Sequence, residues 1–224
     1  MKAKAKTKQR GRKAVAVAED TVLVLRTCNA DMSSHGGFVW PASGPIEAPD
    51  WKPLKVCGFG LHGLLWGEGD GSLLNFAPDA KGLVVRVPAN SIVDLDGKVK
   101  FPAGVVEFCG DLKSAAIYIG ENGAAGRAIV RGTATAGYRG TATAGYGGTA
   151  TAGDRGTATA GYRGTATAGP GGVICLTYWN GKRYKARIAH IKDVDGDGEL
   201  EPDTPYRLNE HHEFVAVAVE KKAA

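Results

Sequence analysis

Between Gly132 and Gly171 the chain writes one octapeptide five times, as GTATAGYR, GTATAGYG, GTATAGDR, GTATAGYR and GTATAGPG. A short fixed period restricts a segment to stacked, quasi-one-dimensional structure, in which each unit touches only its neighbours. Within each copy Thr-Ala-Thr-Ala has period two, so threonines point to one face and alanines to the other. The threonines belong on the solvent side, because a buried hydroxyl without a partner is costly. Alanine as the only inward side chain brings two strand layers close together, and the flanking glycines allow tight corners. Two octads make one coil, and at ~4.8 Å per rung five octads build a stack about 10–15 Å tall. Tyr146 and Tyr162 fall on one edge of it, while Tyr138, Asp154 and Pro170 follow the other. Residues 124–131 read as a degraded first copy, with Arg131 standing where Arg139, Arg155 and Arg163 stand.

These octads resemble the repeats of bacterial ice-nucleation proteins, with their AGYGST-type phrases and outward Thr-x-Thr ranks. The resemblance implies a β-solenoid and offers ice binding as a function. Ordering water as ice needs a long flat threonine array, and each face here carries two or three rungs. A short rigid strut is therefore the leading reading of the repeat. Its interaction surface is Thr133, Thr135, Thr141, Thr143, Thr149, Thr151, Thr157 and Thr159 with Tyr138, Tyr146 and Tyr162.

The repeat divides the 224 residues into parts. Lys2, Lys4, Lys6, Lys8, Arg10, Arg12 and Lys13 form a basic amino-terminal run without an acid; of 28 basic residues 21 remain, against 23 acidic. The body is thus near neutral, and residues 1–18 read as a solubilising tail or a weak phosphate-binding arm for nucleic acid. No stretch approaches the ~18 apolar residues that span a membrane. Cys28, Cys57, Cys109 and Cys175 are widely spaced without a CxxC, which fits reduced thiols in a cytoplasmic protein.

Residues 19–123 read as an α+β unit. Thr21 to Leu25, Leu54 to Cys57, Gly82 to Val87 and Val105 to Cys109 are apolar strand-like runs, with a hairpin turning at Asp96-Gly97. Asp111 N-caps a helix from Leu112 to Ile119. After residues 124–171, the octad segment, residues 172–224 hold a hairpin about Asn180-Gly181 and a last strand from Phe214 to Val219.

Chemistry concentrates in the glycine-rich run from Val56 to Gly71. Its glycines let backbone approach a ligand, and His62 titrates near neutrality. The order of Arg26 on a first strand, Gly58-Phe59-Gly60-Leu61-His62-Gly63-Leu64, and Glu107 on a later strand resembles the ADP-ribosyltransferase fold. That resemblance implies Arg26, His62 and Glu107 as catalytic residues and NAD as cofactor. The whole arrangement also resembles an uncharacterised bacterial and phage family that joins a GLHG-containing domain to GTATAG octads. Asp193, Asp195 and Asp197 open like a calcium loop, with Thr204 where a bidentate glutamate belongs. His211 and His212, as strand neighbours, point to opposite faces.

The expectation is an α+β amino-terminal domain followed by a short β-solenoid and a carboxy-terminal β-hairpin module. Its leading function is non-enzymatic, without a cofactor: a rigid interaction or assembly protein of phage or prophage origin, acting on a host protein partner in the host cytoplasm. A homodimer through the tyrosine edge is a further expectation. An NAD-using ADP-ribosyltransferase-like enzyme and an ice-binding protein are the alternatives.

Overall fold

The computed structural model describes residues 20–218. The basic run at 1–18 and Val219, the end of the expected last strand, lie outside the described residues.

Strands β1 (Thr21–Cys28), β2 (Gly44–Glu47), β3 (Leu61–Leu65), β4 (Lys81–Pro88), β5 (Val93–Asp94), β6 (Val99–Phe101) and β7 (Ala103–Gly110) form one antiparallel sheet, ordered β2-β7-β4-β1-β3-β6-β5. The unbroken apolar run of β1 follows from its central place, where both faces are covered. Leu23 and Leu25 enter the cluster beneath helix α1 (Leu112–Glu121), while Val24 enters the opposite one with Trp40, Leu83 and Phe101. Asp111 caps α1 by accepting from the Ser114 amide at 2.9 Å, and Ala115, Ala116 and Ile119 face the sheet. Gly82 permits that approach: a Cβ there would lie 2.9 Å from the Leu112 Cα.

The octads give β8 (Thr133–Ala136), β9 (Thr141–Ala144), β10 (Thr149–Ala152), β11 (Thr157–Ala160) and β12 (Thr165–Ala168). Alternate copies pair, in parallel and in register: β8, β10 and β12 in one sheet, β9, β11 and β13 (Val173–Trp179) in another. Ala142 to Ala168 of these strands are 0–4% exposed and form the layer between the two sheets. At each corner one residue takes the left-handed conformation. Arg131, Arg139, Arg155 and Arg163 have φ of 53–60°, and Gly147 and Gly171 hold the same place at 63° and 64°.

At the final rung Ile174 and Leu176 replace alanine, and the chain leaves the octad plan. Strand β14 (Tyr184–His190) returns antiparallel along β13. Strand β15 (Tyr206–Leu208) extends the other sheet antiparallel to β12, and β16 (Phe214–Ala216) pairs antiparallel with β15 at its edge.

The expected α+β domain and β-solenoid are therefore corrected. The described chain is β-rich, with three sheets and one α-helix, and the octads build two open sheets, not a closed solenoid. The amino-terminal unit is a sheet with a single helix on it. The octad sheets stay open because β8 and β9 are edges, while β13 runs past octad length into a hairpin. Two local readings change as well. Leu54–Cys57 is exposed and forms no strand; the strand comes later, as β3. The last strand is shorter than expected and ends at Ala216.

Candidate functional site

Two features concentrate chemistry: the threonine ranks of the octad sheets and a cavity in the amino-terminal sheet. In the first octad sheet Thr133, Thr149 and Thr165 stand in register, as do Thr135, Thr151 and Thr167. The second sheet brings Thr141 beside Thr157 and Thr143 beside Thr159, then ends the ranks with Val173 and Cys175. Every one of these threonines is exposed or half-buried, whereas the alanines between them are buried on β9 to β12 and half-buried on the edge strand β8. The result is a grid of hydroxyl and methyl groups on a backbone braced by parallel ladders.

Tyr146 and Tyr162 share an edge, with ring centroids 5.5 Å apart. That line continues in both directions, to Phe76 at 5.4 Å from Tyr146 and to Tyr184 at 6.1 Å from Tyr162. Tyr138 lies on the opposite edge, exposed, with the Arg139 guanidinium 5.2 Å from its ring centre. The roles of Phe76 and Tyr184 have no counterpart in the octad period and were not legible from it.

The cavity, about 610 Å³, is lined by Arg26 from β1, His62 from β3, the loop at Cys57-Gly58-Phe59-Gly60, Phe38, Trp40 and Lys98. Gly63 makes the joint between β3 and β1 possible: a Cβ there would lie 2.6 Å from the Leu25 carbonyl oxygen. The Arg26 Nη1 donates to the His62 carbonyl at 3.2 Å, and its guanidinium lies 5.4 Å from the Trp40 ring centre. Burial lowers its pKa, and its Nε is buried without an acceptor among the described residues.

His62 Nε2 accepts from the Gly58 amide at 3.3 Å. Burial, helped by the charges of Lys98, Arg26 and Lys100, pushes the imidazole down to about 4, so it is neutral at neutral pH. Lys98 Nζ donates to Cys57 Sγ at 3.0 Å, which lowers the thiol below its ordinary value. Lys100 is fully buried behind the loop and donates to the carbonyls of Val56 at 3.0 Å and Gly58 at 3.1 Å. The sequence drew attention to His62 and Arg26 but not to these lysines. A lysine between Val99 and Phe101 carries no periodic signal that it points inward.

Arg26 and His62 thus meet, and Glu107 does not join them. It lies on β7, where its carboxylate takes the Arg86 Nε at 2.5 Å and Nη2 at 2.9 Å. The three groups do not assemble into one centre. Asp193, Asp195 and Asp197 do not converge either: Asp193 Oδ1 accepts the amides of Asp195 at 2.9 Å and Asp197 at 3.2 Å. Among the described residues no group of three His, Cys, Asp or Glu side chains is placed to hold a metal ion. His212 packs its ring 4.0 Å from that of Tyr178.

Fold and surface together define a β-rich repeat protein with outward threonine ranks and a separate cationic cavity. A family model described as a domain of unknown function (DUF7666) matches residues 22–119. The chain is also 43% identical over 103 residues to the ice nucleation proteins InaA and InaU of Pantoea ananas, a match covering 45% of this chain and 8% and 10% of theirs. An ice nucleation protein of Pseudomonas syringae is 42% identical over 102 residues, covering 45% of this chain and 9% of the relative. The matched part is thus about a tenth or less of these relatives' length. No solved structure matches the chain.

These matches support an ice-nucleation-like repeat relationship and suggest a non-enzymatic repeat protein. Phage origin, a host partner and an ADP-ribosyltransferase relationship find no support in them. The cytoplasmic placement is corrected: it rested on dispersed thiols and composition, and the similarity to ice nucleation proteins conflicts with it. Among the described residues no helix is long and apolar enough to cross a membrane.

Proposed function

We propose that this is a non-enzymatic repeat protein whose octad threonines form a small water-ordering, ice-binding face. The observation that carries this reading is the pair of in-register ranks, three threonines each, on the first octad sheet, backed by alanines that are buried on β10 and β12. Threonine suits such a surface because its hydroxyl both donates and accepts, while its methyl group limits competing hydration. The parallel ladders fix the grid: rungs repeat at ~4.8 Å, and the two threonines of each strand stand about 6.6–6.8 Å apart. The names of the relatives point the same way.

Three rungs cover about 10 Å. A face of that height suits adsorption to ice already present better than the start of freezing by one molecule. The test is partition of labelled protein into a slowly growing ice hemisphere. Incorporation is expected; exclusion into the remaining liquid, as for an ordinary solute, would overturn the reading.

A second reading, a rigid scaffold for a protein partner or a second copy, draws on the aromatic edge. Trp179, Tyr184 and Ile188 are 43%, 52% and 61% exposed on the β13–β14 hairpin, where Tyr184 continues the Tyr146–Tyr162 line. Sedimentation across a concentration series tests it. A rising mass that Tyr184→Ser abolishes supports this surface, and a constant monomer mass removes the homodimer.

A further inference from the structure

We propose that the cavity between β1, β3 and the Cys57–Gly60 loop is a binding site for a small, flat organic anion. The ligand class is a carboxylate or phosphate group on a planar, largely apolar body. This site is independent of the threonine face.

Charge favours an anion in this cavity. Arg26 and Lys98 line the cavity and Lys100 lies behind its loop, so three cations converge on His62. Asp50 is the only carboxylate among the lining residues, and it makes no ion pair within the described chain. Lys100 is satisfied by backbone carbonyls, which neutralise no charge. Clustered cations with so little acid compensation repel one another, and an anion in the cavity relieves that repulsion.

One hydrogen-bond donor of Arg26 is also unmet. Arg26 Nε is buried without an acceptor, while its Nη1 is already bound to the His62 carbonyl. A buried donor left unpaired costs about 1–3 kcal/mol, and such a group in a cleft marks where an acceptor belongs. The Trp40 ring lies 5.4 Å from the guanidinium carbon, and Nε is the buried donor still without a partner.

The cavity's shape suits an organic body. About 610 Å³ lies within the ~300–1,000 Å³ of small-molecule sites. Phe38, Trp40, Phe59 and Leu73 supply apolar wall, so bare inorganic phosphate would leave most of the space unused. His62 is neutral there and keeps Nε2 on the Gly58 amide, which holds the loop against the cavity.

The experiment uses the full chain and three probes: benzoate, adenosine 5′-monophosphate and inorganic phosphate. Binding is read by calorimetry and by protection of Cys57 from alkylation, with Cys57→Ser identifying the labelled thiol. One of the two aromatic anions is expected to bind and to slow alkylation of Cys57; which one binds separates a carboxylate from a phosphate ligand. Inorganic phosphate is expected to bind at least tenfold more weakly than that probe. Arg26→Met is expected to weaken binding roughly 10–100-fold, the weight of a charge-assisted hydrogen bond. Should Arg26→Met fail to fold, Lys98→Gln on the rim serves instead, with weaker binding and a smaller salt dependence expected. Glu107→Gln, outside the cavity, is expected to bind as the parent does. No binding by either aromatic anion at millimolar concentration overturns the proposal. So does binding that both Arg26→Met and Lys98→Gln leave unchanged.

Discussion

The ring of Tyr146 lies 5.4 Å from that of Phe76, the two planes within 16° of parallel. One ring belongs to the second octad and the other to the loop before β4, so this stack fastens the repeat to the amino-terminal sheet. Gly71 completes the joint, since a Cβ there would overlap the Tyr146 ring. Tyr146→Ala is expected to cost about 1–3 kcal/mol, from lost packing and the lost aromatic pair. Tyr146→Phe, which keeps the ring, stays near the parent. Urea denaturation followed by tryptophan fluorescence measures both.

The octad corners hold arginine where glycine is the easier residue. Arg155 has φ of 54°, and Gly171 stands in the equivalent place one rung on, at 64°. A left-handed non-glycine residue carries strain of about 1–2 kcal/mol, partly offset in glycine by its freer unfolded chain. Arg155→Gly is expected to raise stability by up to about 1 kcal/mol. Gly147→Ala is expected to lower it by about 1 kcal/mol, since it introduces the strain where the chain avoids it. Thermal melts of the two variants should move in opposite directions.

The alanine layer sets the spacing of the two octad sheets. Ala158 is fully buried in it, while Thr157 beside it faces outward and is half-buried. Ala158→Val overpacks the layer and is expected to cost about 1–3 kcal/mol. Thr157→Val, on the outer face, is expected to stay within about 0.5 kcal/mol of the parent. If the two substitutions cost the same in urea titrations, the assignment of inner and outer faces fails.

Much of this fold was legible because its signals are local. The period-two octads gave their faces, Asp96-Gly97 and Asn180-Gly181 marked their turns, and Asp111 marked the helix start. The misread parts depend on partners distant in the chain. The strand at Leu61–Leu65 contains Gly63, a poor strand former on its own, chosen because Leu25 passes against it. Strand Gly44–Glu47 carries Pro45, which an edge position tolerates. The candidate site was half legible: Arg26 and His62 do share a cavity, but Glu107 is turned away to Arg86. Buried Lys100 and the Phe76–Tyr146 stack follow only from tertiary packing.

That ion pair gives a direct check on the discarded catalytic grouping. Arg86 and Glu107 are partly exposed, and a pair of this kind contributes about 0–1 kcal/mol. Glu107→Gln is expected to change stability by no more than that. NAD is expected to yield no labelled product with either the parent or the variant. A product that disappears with Glu107→Gln would restore the enzymatic reading.

His62 links the cavity to acid stability. Its folded pKa of about 4 lies below the ordinary 6.5, so the unfolded chain binds the proton first as pH falls. The His62 contribution is therefore complete above about 6.5 and is lost as pH drops from there to about 4. His62→Gln should flatten this part of the stability profile, measured as urea midpoints across pH. An unchanged slope would show that His62 is not held neutral.

The threonine face is tested most directly by the shape of a single ice crystal held just below its melting point. With the parent protein at high concentration the crystal should grow facets. With Thr133→Lys, Thr149→Lys and Thr165→Lys combined, one rank of the first octad sheet becomes charged, and the crystal should stay a smooth disc while circular dichroism shows the fold retained. A smooth disc with the parent protein, or facets that survive the triple substitution, would contradict the account.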